Sequence, residues 1–257
     1  MPLDQEQFEQ RNDSSVGFFE KPMAMGFLDH LEELRKRLLY SALAIAVCTG
    51  LAFYFADELI ALLTAPMQGQ KLYVTEVTGS FMAYFKISLF AGLILALPFV
   101  FYQLWSFVSP GLRRSEIKMV LPLVLVSTLL FASGAAFCYF LILPVSLKFL
   151  LEFSGDLFQP MITVSSYIGF VGGMVLAFGL GFQIPVIAFA LAKMGMVTGP
   201  GLAGARRYAV MVILIASAIL TPTPDIVTQL LLAGPIYILY EASIVIAYVV
   251  GRKQSSH

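Results

Sequence analysis

Six long runs of this chain, at residues 38–56, 83–108, 119–147, 165–192, 207–220 and 226–250, carry almost no charge. A helix that crosses a bilayer needs about 20 mostly apolar residues. Within hydrocarbon, a helix also satisfies its own backbone N–H and C=O groups. Composition points the same way, because 12% of the 257 residues are charged and 59% are hydrophobic, against about 25% charged in an ordinary soluble domain. The sequence therefore predicts an all-α integral membrane protein. A polar tail (1–24) leads into one six-helix domain (25–250), and a short tail (251–257) follows it.

Turn chemistry divides the runs. Pro110-Gly111 separates the second from the third, and the two prolines of "TPTPD" stop the fifth and start the sixth. Thr223, Pro224 and Asp225 read there as N-cap, first helical residue and first-turn acid. The fifth run is short. Its fourteen residues rise about 21 Å, less than a hydrocarbon core of about 30 Å. Two short spans at the end of the chain are expected, because Arg206-Arg207 and Arg252-Lys253 bracket the pair on one side.

Basic residues orient the bundle, since short cytoplasmic loops are enriched in Lys and Arg. Five precede the first span (Arg11, Lys21, Arg35, Lys36, Arg37). Arg113, Arg114 and Lys118 lie between spans two and three. Lys193, Arg206 and Arg207 lie between four and five, and Arg252 and Lys253 follow the sixth. The opposite face holds Lys71, Lys86 and Lys148. Both termini are thus predicted on the cytoplasmic side, and the zero net charge conceals a segregation. Tyr102 and Trp105 fall where interfacial rings are expected, and Lys86 falls where a lysine can snorkel outward. The outer loops, about 57–82 and 148–164, mix acids with apolar stretches and should be ordered caps containing short helices. The first 24 residues hold no apolar segment of a cleaved signal, consistent with a bacterial inner-membrane protein inserted by its own spans.

Catalytic sets are missing. The two histidines, His30 and His257, form no metal-binding pair, and no phosphate-binding lysine loop is present. Cys48 and Cys138 lie in apolar runs and read as small hydrophobic fillers. No enzyme activity, cofactor or metal is expected.

The remaining candidates are polar groups at or within the membrane. In "HLEELRKRL" (30–38), Glu32–Lys36 and Glu33–Arg37 are i,i+4 pairs with the acid in the favourable N-terminal position. Taken alone they are charges on a solvated helix face, worth about 0.3–0.5 kcal/mol each. Glu116, after the N-cap candidate Ser115, suits the first turn of span three. Carboxylates at a partly dry interface also suit guanidinium groups in bidentate geometry. Within the spans, Gln183 lies beside Pro185, whose missing N–H frees a carbonyl for the amide, and Glu241 lies in the sixth span. Gly169 and Gly173 form a small-xxx-small pair for close helix packing.

Four blocks, "HLEELRKRL" (30–38), "FYQLWSFVSPGLRRSE" (101–116), "FGLGFQIPV" (178–186) and "LTPTPDIVTQLLLAGPIYILYE" (220–241), resemble in order the signature blocks of the TatC family. That family supplies the multispanning receptor subunit of the twin-arginine protein translocase. The resemblance implies a glove-shaped six-helix bundle whose cytoplasmic face binds the twin-arginine signal peptides of folded cargo. It implies further that the bundle recruits TatA- and TatB-type single-span subunits for export driven by the proton-motive force. Self-association is compatible with it, and nucleic acid plays no part. By the same resemblance Glu33 and Glu116 bind the paired arginines, and Glu32 falls at a variable position. Arg35 would orient Glu33 or repel a misplaced peptide. Phe107 and Pro110 match the loop's aromatic and turn, and Pro66 and Asp225 match residues of the outer segments. Gln183 matches a polar site, often a glutamate, that contacts TatA-type subunits, and here it lacks a titratable proton. The other class considered is a solute or ion transporter, which would place charge or broken helices near the midplane in repeated halves. Span interiors here hold almost no charge and no matching halves are visible.

Overall fold

The computed structural model describes residues 27–67, 72–108, 119–153, 161–220 and 226–254. Glu116, Pro110 and Asp225 lie outside these residues. Every regular element within them is helical, apart from one isolated bridge pairing Tyr73 with Thr163.

Helix α1 (Phe27–Tyr54) begins in the charged lead-in and continues without a break into the first apolar run. It packs against α3 (Gly79–Val108), antiparallel, because Arg37 near the start of α1 meets Gln103 near the end of α3. Gly92 makes that approach possible, since a Cβ there would lie 2.5 Å from the Thr49 backbone. The opposite face of α1 displays Leu38, Leu39, Leu43, Val47 and Leu51, a lipid-facing surface in a chain of this kind.

Between α1 and α3 lies an ordered cap of short helices. Helix α2 (Ala56–Thr64) ends in a 3₁₀ turn, Ala65–Met67, that contains Pro66 and buries Met67. The hydroxyls of Tyr139 and Tyr167 donate to the carbonyls of Leu62 and Leu63, at 2.6 and 2.7 Å. They satisfy the groups a helix C-terminus leaves open and tie the cap to the bundle.

Span three is α4 (Val120–Phe137) and α5 (Leu143–Phe153), joined by a π-helical turn at Cys138–Ile142. The Leu143 N–H reaches back to the Cys138 carbonyl. Pro144 follows at once and lacks the N–H that an unbroken α-helix would need there. Cys138 is fully buried and free, as a small apolar filler should be.

Span four was expected to be continuous over 165–192. It divides instead into α6 (Val164–Gly181) and α7 (Ile184–Lys193), with Phe182 and Gln183 in the turn. Pro185 lies in the first turn of α7, the position that tolerates a missing donor. Thr163 caps α6 by accepting from the Ser166 N–H.

After α7 come the short α8 (Gly199–Gly204), then α9 (Arg206–Leu220) and α10 (Ile226–Gln254). Among the described residues, five helical stretches are long and apolar enough to cross a membrane: His30–Tyr54, Gly79–Val108, Val120–Glu152, Val164–Lys193 and Ile226–Gly251. Helix α9, with 15 residues, rises about 22 Å and is not among them.

The central core joins Cys138, Leu143, Val171, Met174, Phe178 and Leu232, all fully buried. A second cluster, around Phe101, Trp105, Leu123, Phe131 and Val186, locks α3 and α4 to α7. Trp105 corrects the sequence reading. It is 5% exposed and belongs to this cluster, whereas Tyr102 does lie exposed. The close-packing glycines also differ from the expected pair. A Cβ at Gly172 would overlap the Phe90 ring, while one at Gly169 would meet open space.

Candidate functional site

The helical period that carries the apolar face of α1 also turns Glu33 and Arg37 toward the end of α3. Glu33 and Arg37 are about a fifth exposed, whereas Glu32 and Lys36, paired at 2.8 Å, are well over half exposed. The two glutamates of the opening motif are therefore inequivalent. One is a solvated face charge and the other is held in a partly dry notch.

Arg37 builds that notch. Its Nε donates to Glu33 Oε1 at 2.9 Å, its Nη2 donates to the same oxygen, and its Nη1 donates to Gln103 Oε1 at 3.2 Å. One guanidinium thus fixes the carboxylate and links it to α3. The second carboxylate oxygen, Glu33 Oε2, is buried without a hydrogen-bond partner among the described residues. His30 Nδ1 lies 3.9 Å from it. The His30 ring in turn stacks on Phe107, with centroids 4.3 Å apart and planes 14° apart. A buried polar atom without a partner costs about 1–3 kcal/mol, more when charged. The notch therefore holds an acceptor that a hydrogen-bond donor from outside would satisfy.

A second polar chain crosses the bundle. Trp105 Nε1 donates to Ser127 Oγ at 2.9 Å, and Gln183 Nε2 donates to the Ser127 carbonyl at 2.9 Å. The chain joins α3, α4 and the turn before α7. Gln183 is 5% exposed, so the expected carbonyl freed by Pro185 is replaced by one from a neighbouring helix. Its amide nitrogen is engaged inside the bundle.

Comparison with known proteins decides the family. Residues 29–235 match the family model described as Sec-independent protein translocase protein (TatC). The Sec-independent protein translocase protein TatC of Desulforapulum autotrophicum is 43% identical over 235 residues, covering 90% of this chain and 87% of that protein. The protein of the same name from Carboxydothermus hydrogenoformans is 40% identical over 239 residues, covering 92% and 98%. A crystal structure of the twin arginine translocase receptor TatC superposes with a TM-score of 0.79 at 40% identity, covering 86% of this chain and 99% of that one. The chain belongs to the TatC family.

Membership in TatC together with several helices long and apolar enough to cross a membrane makes this a multi-pass protein of the bacterial cytoplasmic membrane and a component of the twin-arginine translocase. In this TatC chain, Glu241 lies on α10 level with the first residue of α9. It receives Arg206 in bidentate form, Nε to Oε1 at 2.8 Å and Nη2 to Oε2 at 2.9 Å, and also accepts from the Tyr237 hydroxyl at 2.8 Å. Glu241 is thus a tie between the start of α9 and the middle of α10. Pro66 lies in the cap at the far end of α3 from Glu33.

Arg35, expected to orient Glu33 or repel a misplaced peptide, is exposed, and the contact with Glu33 is made by Arg37, one turn beyond it. Sequence reasoning paired Glu33 with Arg37 but gave that pair no role at the site, and it missed Gln103 and His30. Gln103 had one visible signal, a polar side chain one helical turn from Phe107 within an apolar run.

Proposed function

We propose that this chain is the signal-peptide receptor of its translocase, with Glu33 and Glu116 as the carboxylates that take the paired arginines. The observation that carries the reading is the buried Oε2 of Glu33, unpartnered among the described residues, on a carboxylate already fixed by Arg37 and beside the His30 ring that stacks on Phe107. A guanidinium matches that opening twice, because it donates in a planar fork and stacks on aromatic rings. Two charge-assisted contacts contribute about 3–6 kcal/mol, whereas micromolar binding needs about 8. The apolar segment of the peptide supplies the remainder against the exposed leucine and valine surface of the bundle.

In this reading α9 is the fifth of six spans, shorter than the bilayer and accommodated by local thinning. Both termini are cytoplasmic. The cation-rich ends of α1, α7 and α9 support this orientation, since Glu33 faces the side on which signal peptides arrive. TatA- and TatB-type subunits join through the apolar surface around Gln183, the amide itself being engaged with Ser127, and the proton-motive force drives transport.

The test is export of a folded reporter bearing a twin-arginine signal peptide, in a bacterium deleted for its own TatC and supplied with this chain and its cognate single-span subunits. Export that is lost in Glu33→Ala, with the protein still present in the membrane, supports the proposal. Undiminished export by Glu33→Ala contradicts it.

A further inference from the structure

At the other end of α3 a second polar feature stands apart from the Glu33 notch. Lys86 is half-buried, and no carboxylate pairs with it among the described residues. Its Nζ lies 2.8 Å from Ser165 Oγ and 3.5 Å from the Ser165 carbonyl oxygen. Withdrawing an ammonium from water without a counter-charge is unfavourable, so the position favours an anion.

Two cavities meet at this lysine. One, of about 300 Å³, is lined by polar groups that include the exposed Glu76, and the other, of about 600 Å³, runs over Leu147, Leu151 and Phe170 between α5 and α6. Lys86, Ser165 and Ser166 line both. Gly169 leaves the apolar groove open, because a Cβ there would touch nothing within 4 Å.

Depth agrees with this chemistry. Lys86 is the eighth residue of the 30-residue α3, about 10 Å from its start. The helix is about 45 Å long and exceeds a hydrocarbon core of about 30 Å by roughly 7 Å at each end. Lys86 therefore lies just inside the boundary, within reach of the headgroup layer by snorkelling.

We propose that this junction binds one anionic phospholipid. Its phosphate contacts Lys86 Nζ and the Ser165 and Ser166 hydroxyls, and one acyl chain lies in the groove floored by Gly169. The occupant must be charged at one end and apolar at the other. The polar cavity alone would suit a free phosphate, and the groove alone a detergent tail. Because the site is far from Glu33, it stands or falls independently of the signal-peptide reading.

The test is native mass spectrometry of the delipidated, detergent-purified chain with added phosphatidylglycerol or phosphatidylcholine. The parent protein should retain one phosphatidylglycerol in clear preference to phosphatidylcholine. Lys86→Gln should bind it about tenfold more weakly, the order expected for one lost charge-assisted hydrogen bond, and Lys86→Arg should restore binding. Gly169→Leu, which fills the groove and leaves the lysine in place, should also lose the lipid, and it carries the test if Lys86→Gln does not fold. Equal retention of both lipids, or phosphatidylglycerol retained equally by the parent and Lys86→Gln, would overturn the proposal.

Discussion

Glu33→Gln separates a receptor carboxylate from a structural one. The amide is nearly the same shape, and its oxygen can still accept from Arg37 Nε where Glu33 Oε1 does now, at 2.9 Å. The tie through Arg37 to Gln103 therefore survives, weakened by the lost charge. At the position of the unpartnered Oε2, however, an acceptor becomes an NH₂ donor facing the incoming guanidinium. At least one charge-assisted contact is lost, about 1.5–3 kcal/mol, or roughly 10- to 100-fold in affinity. Glu33→Ala differs, because it strands the Arg37 guanidinium, which is about three-quarters buried, and should lower stability as well as affinity. Fluorescence anisotropy of a labelled twin-arginine peptide, with a thermal scan of each variant, reads both quantities. The account requires Glu33→Gln to bind at least tenfold more weakly than the parent while melting closer to it than Glu33→Ala does. Peptide affinity within twofold of the parent would refute the reasoning.

Other substitutions test the frame around the site. Gly92→Leu must push α1 away from α3, a strain of about 1–3 kcal/mol or more, and should reduce accumulation in the membrane, while Gly169→Ala should leave accumulation unchanged; immunoblots of membrane fractions distinguish them. A double-mutant cycle of Trp105→Phe and Ser127→Ala, read by denaturant unfolding in micelles, should give a coupling of about 0.6 kcal/mol and no more than about 1.7, as for other hydrogen bonds within membranes. Arg206 and Glu241 are half and one-third exposed, so Glu241→Gln should lower stability only slightly in the same unfolding assay and leave peptide affinity within twofold.

The spans were legible because hydrocarbon leaves no other use for runs such as 83–108, and the cap helices because acids and apolar residues alternate in short stretches there. What was hidden depended on which neighbour each face meets. Trp105 looked like an interfacial ring from its place near a helix end, yet it turns inward to Ser127, 22 residues away in sequence. The π-turn at Cys138–Ile142 adds a residue to one turn without altering composition, so Pro144 was its only trace. The small-xxx-small spacing drew attention to Gly169, but the crossing of α3 with its neighbours decides that Gly92 and Gly172 meet them.

At the candidate site, the i,i+4 spacing made the Glu33–Arg37 pair legible, while the family pattern drew attention to Arg35. Only the packing of α1 on α3 brings Gln103, 66 positions beyond Arg37, to the same guanidinium. It also places His30 over Phe107 and closes off one oxygen of Glu33. That asymmetry between the two oxygens, one held and one vacant, has no counterpart in the sequence.

The central claim is that the Glu33 end of the bundle reads arginine as a planar fork and not merely as positive charge. The direct measurement is the affinity of the purified chain, in nanodiscs, for a twin-arginine signal peptide beside the same peptide with both arginines replaced by lysine. Lysine keeps the charge and loses the fork and the stacking face. The account predicts at least tenfold tighter binding of the arginine peptide, with the difference abolished in the Glu33→Ala, Glu116→Ala double variant. Equal affinities for the two peptides would contradict it.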